Sequence, residues 1–133
     1  MSRPLLIGEG VGIAAAVALA EKLSERQPLV LLGSDEPFPF RARPSQIMVH
    51  GMPDGVIACM PSLDGWGIAS RLASRAGFPG CFEGTVVELA EVWLDGLNPQ
   101  ALAEIEIFAA GPAQILQAAA EAARRYGVPV TQT

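Results

Sequence analysis

Leu5-Leu6-Ile7-Gly8-Glu9-Gly10-Val11-Gly12-Ile13-Ala14-Ala15 decides the fold of this chain. Leu5 to Ile7 reads as a short buried strand, Gly8 to Gly12 as a tight turn, and Ile13 onward as the first turn of a helix. Such a turn leaves backbone N–H groups free at a helix start, where the macrodipole also favours negative charge. Glycine permits positive φ and a close approach of a ligand to the backbone. The turn therefore suits a phosphate or pyrophosphate. The same residues also suit a strand-to-helix corner that only packs tightly.

Working outward, Ile13 to Arg26 has the helical spacing of apolar residues at Ile13, Val17, Ala20 and Leu23, with Glu21, Lys22, Glu25 and Arg26 on the wet face. Gln27-Pro28 ends it, because proline cannot continue the hydrogen-bond ladder. Leu29-Val30-Leu31-Leu32 is a continuous apolar run of the kind buried on both faces of a parallel sheet. Strand, glycine turn, helix and strand make a βαβ unit with a right-handed crossover.

Beyond it, Gly33 to Pro44 is irregular, broken by Pro37, Pro39 and Pro44, with Phe38 and Phe40 as anchors. Gln46 to Val49 reads as a short extended piece and His50 to Gly55 as a turn. Val56 to Met60 is the expected third strand, stopped by Pro61. Asp64 is placed to cap a helix over Trp66 to Arg75, where Ile68, Leu72 and Ala76 share a face. Thr85 and Glu88 form a capping box for a helix over Val86 to Leu94. Glu104 to Ala110 is a strand ending at Gly111-Pro112, Ala113 to Tyr126 is a helix closed by Gly127, and Val128 to Thr131 is an edge strand. Five strands alternating with helices predict a three-layer αβα, doubly wound, Rossmann-like parallel sheet in one domain over 1–133. Ligands of such sheets sit beyond the carboxyl ends of the strands at the switch point.

Composition supports this and excludes several functions. Half of the 133 residues are hydrophobic and few are aromatic. The net charge of −5, with no basic cluster, argues against nucleic acid and gives no support for an anionic membrane surface. Residues 4–20 form an Ala-rich apolar run, but Glu9 and three glycines interrupt it, and a spanning helix needs about 20 apolar residues. Cys59 and Cys81 lie in no CxxC motif and near no histidine at ligand spacing, so a reduced, cytoplasmic setting is expected and no metal site.

The order of these pieces resembles the nucleotide-binding domain of the ferredoxin–NADP reductase superfamily. The resemblance is nearest to the electron-transfer subunit of dihydroorotate dehydrogenase. Leu6 to Ala14 is similar to the family's Gly-x-Gly-x-Gly-Ile-Ala-Pro turn. Asp64-Gly65 and Gly84 to Leu89 are similar to its Asp-Gly and Gly-x-Val-Thr helix start, and Glu106 to Leu116 to its strand ending in Cys-Gly-Pro. The resemblance implies a strand order of 3-2-1-4-5 and an NAD(P)-binding module. Its departures are Ala15 for the family's proline and Ala110 for the cysteine that sits beside the nicotinamide. The family's flavin-binding barrel and the dihydroorotate relative's iron–sulfur cysteines have no counterpart among these residues, so no FAD site is expected here.

The expected cofactor-binding residues are Gly8, Glu9, Gly10, Val11, Gly12 and Ile13 at the first corner, Ser34 and Asp35 after strand two, and Ala110, Gly111 and Pro112 at the second corner. No catalytic residue is assigned. Asp35 can accept from ribose hydroxyls and disfavour a 2′-phosphate, which favours NAD over NADP. Glu9 is awkward beside a pyrophosphate unless its carboxylate points away. Arg41 and Arg43 are candidate phosphate partners, and His50 is an unpartnered imidazole in a turn. The resulting expectation is a module that binds a dinucleotide and serves a flavoprotein subunit, an oxidoreductase component that is not catalytic alone. The alternative is a degenerate interaction or regulatory domain of the same fold, forming a homodimer or docking a partner. A methyltransferase is a third reading, disfavoured by the short chain and the context of strand two.

Overall fold

A computed structural model describes residues 2–132. Met1 and Thr133, the expected limits of the domain, lie outside the described residues. The first strand β1 (Arg3–Glu9) is buried along Pro4 to Gly8 and sits near the centre of a six-stranded sheet. A single 3₁₀ turn over Gly10–Gly12 leads into helix α1 (Ile13–Lys22). This helix is shorter than expected: a second 3₁₀ turn at Ser24–Arg26 and left-handed Gln27 finish the segment before strand β2 (Leu29–Gly33), every residue of which is buried.

The long connection after β2 departs most from expectation. Of the expected third strand only Ala58–Cys59 is paired as a strand (β4), antiparallel with β3 (Arg43–Pro44) in a separate two-stranded ribbon. Gln46 to Val49 forms no strand. Helix α2 is a five-residue turn, Pro61–Gly65, and Asp64 lies inside it rather than capping a following helix. The segment expected to be that helix is strand β5 (Ala69–Ser74), parallel to β2 with Leu31 opposite Arg71 and Leu32 opposite Leu72.

The later long helices and the strand between them run as read, and a short strand and a short helix join them where only turns were expected. A two-residue strand β6 (Phe82–Glu83) pairs with the end of β5. Helix α3 (Val86–Asp95) starts in the expected capping box: the Thr85 hydroxyl accepts from the Glu88 N–H at 3.1 Å and Glu88 Oε1 accepts from the Thr85 N–H at 2.8 Å. A short helix α4 (Pro99–Leu102), capped by Asn98, precedes strand β7 (Ile105–Ala110). Helix α5 (Ala113–Tyr126) ends at left-handed Gly127, and strand β8 (Val130–Gln132) closes the edge.

The sheet order is β6-β5-β2-β1-β7-β8, and every pair is parallel. It therefore has six strands where five in the order 3-2-1-4-5 were expected, and its third long strand comes from a different part of the sequence. Alternate residues of β1 and β2 feed two cores. Leu5, Ile7, Leu29 and Leu31 pack under α3 and α5; Leu6, Val30, Leu32 and Leu72 pack under α1 and α2. Helices thus cover both faces, and the crossovers change face between β1 and β7. That is the switch point, where a crevice opens beyond the strand ends.

Leu72 is fully buried in β5. Leu72→Ala should lower stability by about 3 kcal/mol through lost burial and an unfilled cavity. Urea unfolding followed by circular dichroism tests this. A loss well under 1 kcal/mol would mean that residue 72 lies on an exposed helix rather than in a buried strand.

Candidate functional site

The two glycine corners meet at the switch point. Gly8 is the register partner of Ala110 across β1 and β7. One turn later, Gly12 lies so close to the second corner that a Cβ on it would overlap the carbonyl of Ala110. Only glycine fits there, and the requirement is spatial, because Gly12 itself has φ −83°. Gly10 is the residue with the conformational demand, at φ 54°. Gly111 at the other corner packs on the Glu9 backbone, where a Cβ would lie 3.1 Å from the Glu9 carbonyl oxygen. Gly8 is buried against α1, with Ala16 Cβ at 2.7 Å from the position a side chain would take.

The rim above these contacts is open. Gly10 has no atom within 4 Å of a would-be Cβ, Val11 is 89% exposed, and Ala14 and Pro112 are exposed. Beside the turn runs a groove of about 580 Å³, walled by Gly10, Val11 and Ala14 on one side and by Pro39, Phe40 and Met60 on the other. Phe40 is held by Phe38 at a ring separation of 5.2 Å, and Phe38 by Phe78 at 6.2 Å, so the proline-broken loop is anchored by its aromatics. Ile13 and Ala110 are buried and shape the corners without facing solvent.

Charge is arranged along the rim toward β2 and β5. Glu9 is the register partner of Gly33, and its Oε1 lies 2.9 Å from where a Gly33 Cβ would be. Its carboxylate therefore leans toward the β2 end rather than over the α1 start. Asp35 Oδ1 accepts from the Arg75 backbone N–H at 3.0 Å, and Oδ2 accepts from Arg75 Nε at 2.9 Å and from a second guanidinium nitrogen. Hydrogen bonding to Arg75 holds the Asp35 carboxyl below its ordinary range. Burial pushes Glu9 upward first, repulsion from Asp35 adds to it, and Arg75 opposes it. Ser34 makes a local turn, its hydroxyl accepting from the Glu36 N–H at 3.1 Å.

Arg75 was missed in the sequence because it sits in the segment read as a helix; as the first residue past a strand end it belongs to the rim. Arg41 and Arg43 are exposed, Arg41 next to the groove residue Phe40 and Arg43 in the β3–β4 ribbon. His50 is exposed at the opposite end of the sheet, in a groove with Arg3 and Gly67. Asp64 accepts from Ser45 Oγ at 2.7 Å and the Gln46 N–H at 3.0 Å, which fixes the ribbon loop. Cys59 is buried, and desolvation pushes its thiol up, so it stays protonated. Among the described residues no group of three or more His, Cys, Asp or Glu side chains is placed to hold a metal ion, and no helix is long and apolar enough to cross a membrane.

No protein-family model matches the sequence, and no curated protein sequence does. Solved structures do. The ferredoxin reductase of carbazole 1,9a-dioxygenase, in its FAD apo form, superposes with a TM-score of 0.62 at 19% identity over 98% of this chain. The chain spans 34% of that reductase's length. The C-terminal domain of a hydrogenase from Pyrococcus furiosus superposes in two structures. One has a TM-score of 0.62 at 15% identity, covering 98% of this chain and 89% of that one. The other has 0.58 at 15%, covering 99% and 91%. The fold is therefore one that this chain shares with a part of that reductase and with the hydrogenase C-terminal domain.

Two outcomes follow. Gly12→Ala should cost about 3 kcal/mol, since the added methyl meets backbone that cannot move without breaking the β1–β7 register; thermal unfolding checks it, and a neutral result would mean the corners are apart. Glu9 has a raised folded pKa, so the folded state holds its proton longer than the unfolded chain. Stability contributed by that proton is full below the ordinary glutamate range and is lost as pH rises through the elevated value. Glu9→Gln should remove that decline in urea midpoints measured from acid to neutral pH, and an unchanged pH profile would contradict it.

Proposed function

We propose that this chain is an NAD(P)-binding module of ferredoxin reductase type that works with a flavoprotein partner, nearest in kind to the dihydroorotate dehydrogenase electron-transfer subunit. The observation that carries this reading is the convergence of the Gly8–Gly12 and Ala110–Pro112 corners on one open rim. The backbone N–H groups of Gly10 and Val11 lie at the start of the segment leading into α1, where a pyrophosphate gains from both hydrogen bonds and the local dipole. The groove toward Phe40 gives the rest of a dinucleotide an apolar wall.

The lean of Glu9 toward β2 removes the repulsion that its carboxylate would otherwise impose on a pyrophosphate at the α1 start. Glu9 and Asp35 together outweigh Arg75 at the β2–β5 end, so a 2′-phosphate there meets net negative charge, and NAD is favoured over NADP. Hydride transfer needs a flavin acceptor, which the partner would supply. With Ala110 in place of a thiol at the second corner, this chain contributes binding and orientation.

Amide chemical shifts during titration with NADH and NADPH test the proposal. Gly10 to Ile13 and Gly111 to Ala113 should move with saturation, and NADPH should bind several-fold more weakly than NADH. Asp35→Asn should narrow that difference. Unmoved corner amides at millimolar NADH would overturn dinucleotide binding and leave the interaction-domain reading.

A further inference from the structure

Dinucleotide-binding sheets of this class meet the ribose near the end of the second strand in one of two ways: an acidic side chain takes the 2′-hydroxyl, or an arginine takes a 2′-phosphate. This chain carries one of each. Asp35 stands just past the end of β2 and Arg75 just past the end of β5, on strands in register at Gly33 and Ala73. The two side chains are bound to each other. Asp35 Oδ1 accepts from the Arg75 backbone N–H at 3.0 Å, and Oδ2 is held by Nε at 2.9 Å and by a second guanidinium nitrogen.

The loop after β2 does not need that guanidinium to keep its place. The Ser34 N–H donates to the Ala73 carbonyl at 3.2 Å, the Ser34 hydroxyl accepts from the Glu36 N–H at 3.1 Å, and the Arg75 backbone N–H already reaches Asp35. Both side chains are exposed, and an exposed pair adds little to stability. What the pair changes is the group that a ribose meets. A guanidinium is a planar fork suited to phosphate, and this one is engaged while a carboxylate oxygen occupies two of its nitrogens. Glu9 and Glu88 also act on Arg75, each more weakly than Asp35. The carboxylate keeps an acceptor position open: among the described residues Oδ1 receives only the backbone N–H, and a carboxylate oxygen has two lone pairs.

We propose, on the dinucleotide reading, that Arg75 sets cofactor selectivity by being held. Its pairing with Asp35 fixes the carboxylate with Oδ1 free to accept from a ribose hydroxyl, and withholds the guanidinium from a 2′-phosphate. Net negative charge at the β2–β5 end repels a 2′-phosphate whatever Arg75 does; the pairing acts through this one arginine, so the two causes can be separated.

A double-mutant cycle separates them, read as the dissociation constants of NADH and NADPH by isothermal titration calorimetry. Asp35→Asn keeps a carbonyl oxygen for the Arg75 backbone N–H but turns an amide NH₂ against the guanidinium, which releases it. In an Arg75→Met background the same change removes the repulsion alone. Asp35→Asn should therefore tighten NADPH in both backgrounds, and the gain should be about tenfold larger where Arg75 is present, a coupling of the size found between residues in contact. NADH should gain in neither. Equal NADPH gains with and without Arg75 overturn the proposal while leaving the dinucleotide reading in place. A parent protein that binds NADPH as tightly as NADH overturns it too. A parent that binds neither at millimolar concentration overturns the dinucleotide reading and this proposal with it.

Discussion

The structure depends on the contact between Gly12 and the carbonyl of Ala110, where the turn after β1 rests directly on the backbone that ends β7. Without a side chain at residue 12, the two central strands can end level with each other and their following helices can leave toward opposite faces. That divergence creates the switch-point crevice. A larger residue would push the turn off β7 and break the alignment of Gly8 with Ala110. The same close packing therefore organises the sheet and builds the rim.

Electrostatics divide that rim into two regions. Over the α1 start the backbone is open and carries no carboxylate side chain; toward β2 and β5, Glu9, Asp35 and Arg75 form a linked set with more negative than positive charge. Both features come from Glu9, whose backbone supports Gly111 while its side chain turns the other way along the strand ends. A residue that looks hostile to phosphate in a linear motif becomes compatible with it once its direction is known.

Much of this was legible in the sequence, and the rest was hidden for physical reasons. The glycine turn, the Thr85–Glu88 capping box and the Gly127 stop are local signals with local causes, and they hold. The third long strand was not legible. Ile68, Leu72 and Ala76 fall at helical spacing, but every residue from Ser70 to Ser74 is buried, and a strand buried on both faces has no alternation to betray it. Ser70, Arg71 and Ser74 add polar residues that suggest a wet helix face. Their burial is explained by tertiary partners: Ser70 Oγ accepts from the Met60 N–H at 3.1 Å and Arg71 fastens the Ile47 loop. Once Ala69–Ser74 is a strand, Val56–Met60 is displaced to the side ribbon, and Arg75 moves from a helix to the rim.

The position of β1 has a kinetic consequence. Its inner neighbours are β2, close by in the sequence, and β7, which lies most of the chain away. During synthesis the β1–β2 unit can form early, but its flank toward β7 stays unpaired until nearly all of the chain has emerged. Such non-local parallel pairing is slow and leaves an apolar edge open to neighbouring chains. The nascent polypeptide is thus most vulnerable to aggregation just before Ile105–Ala110 docks, which makes closure of the central pair the late, committing step of folding.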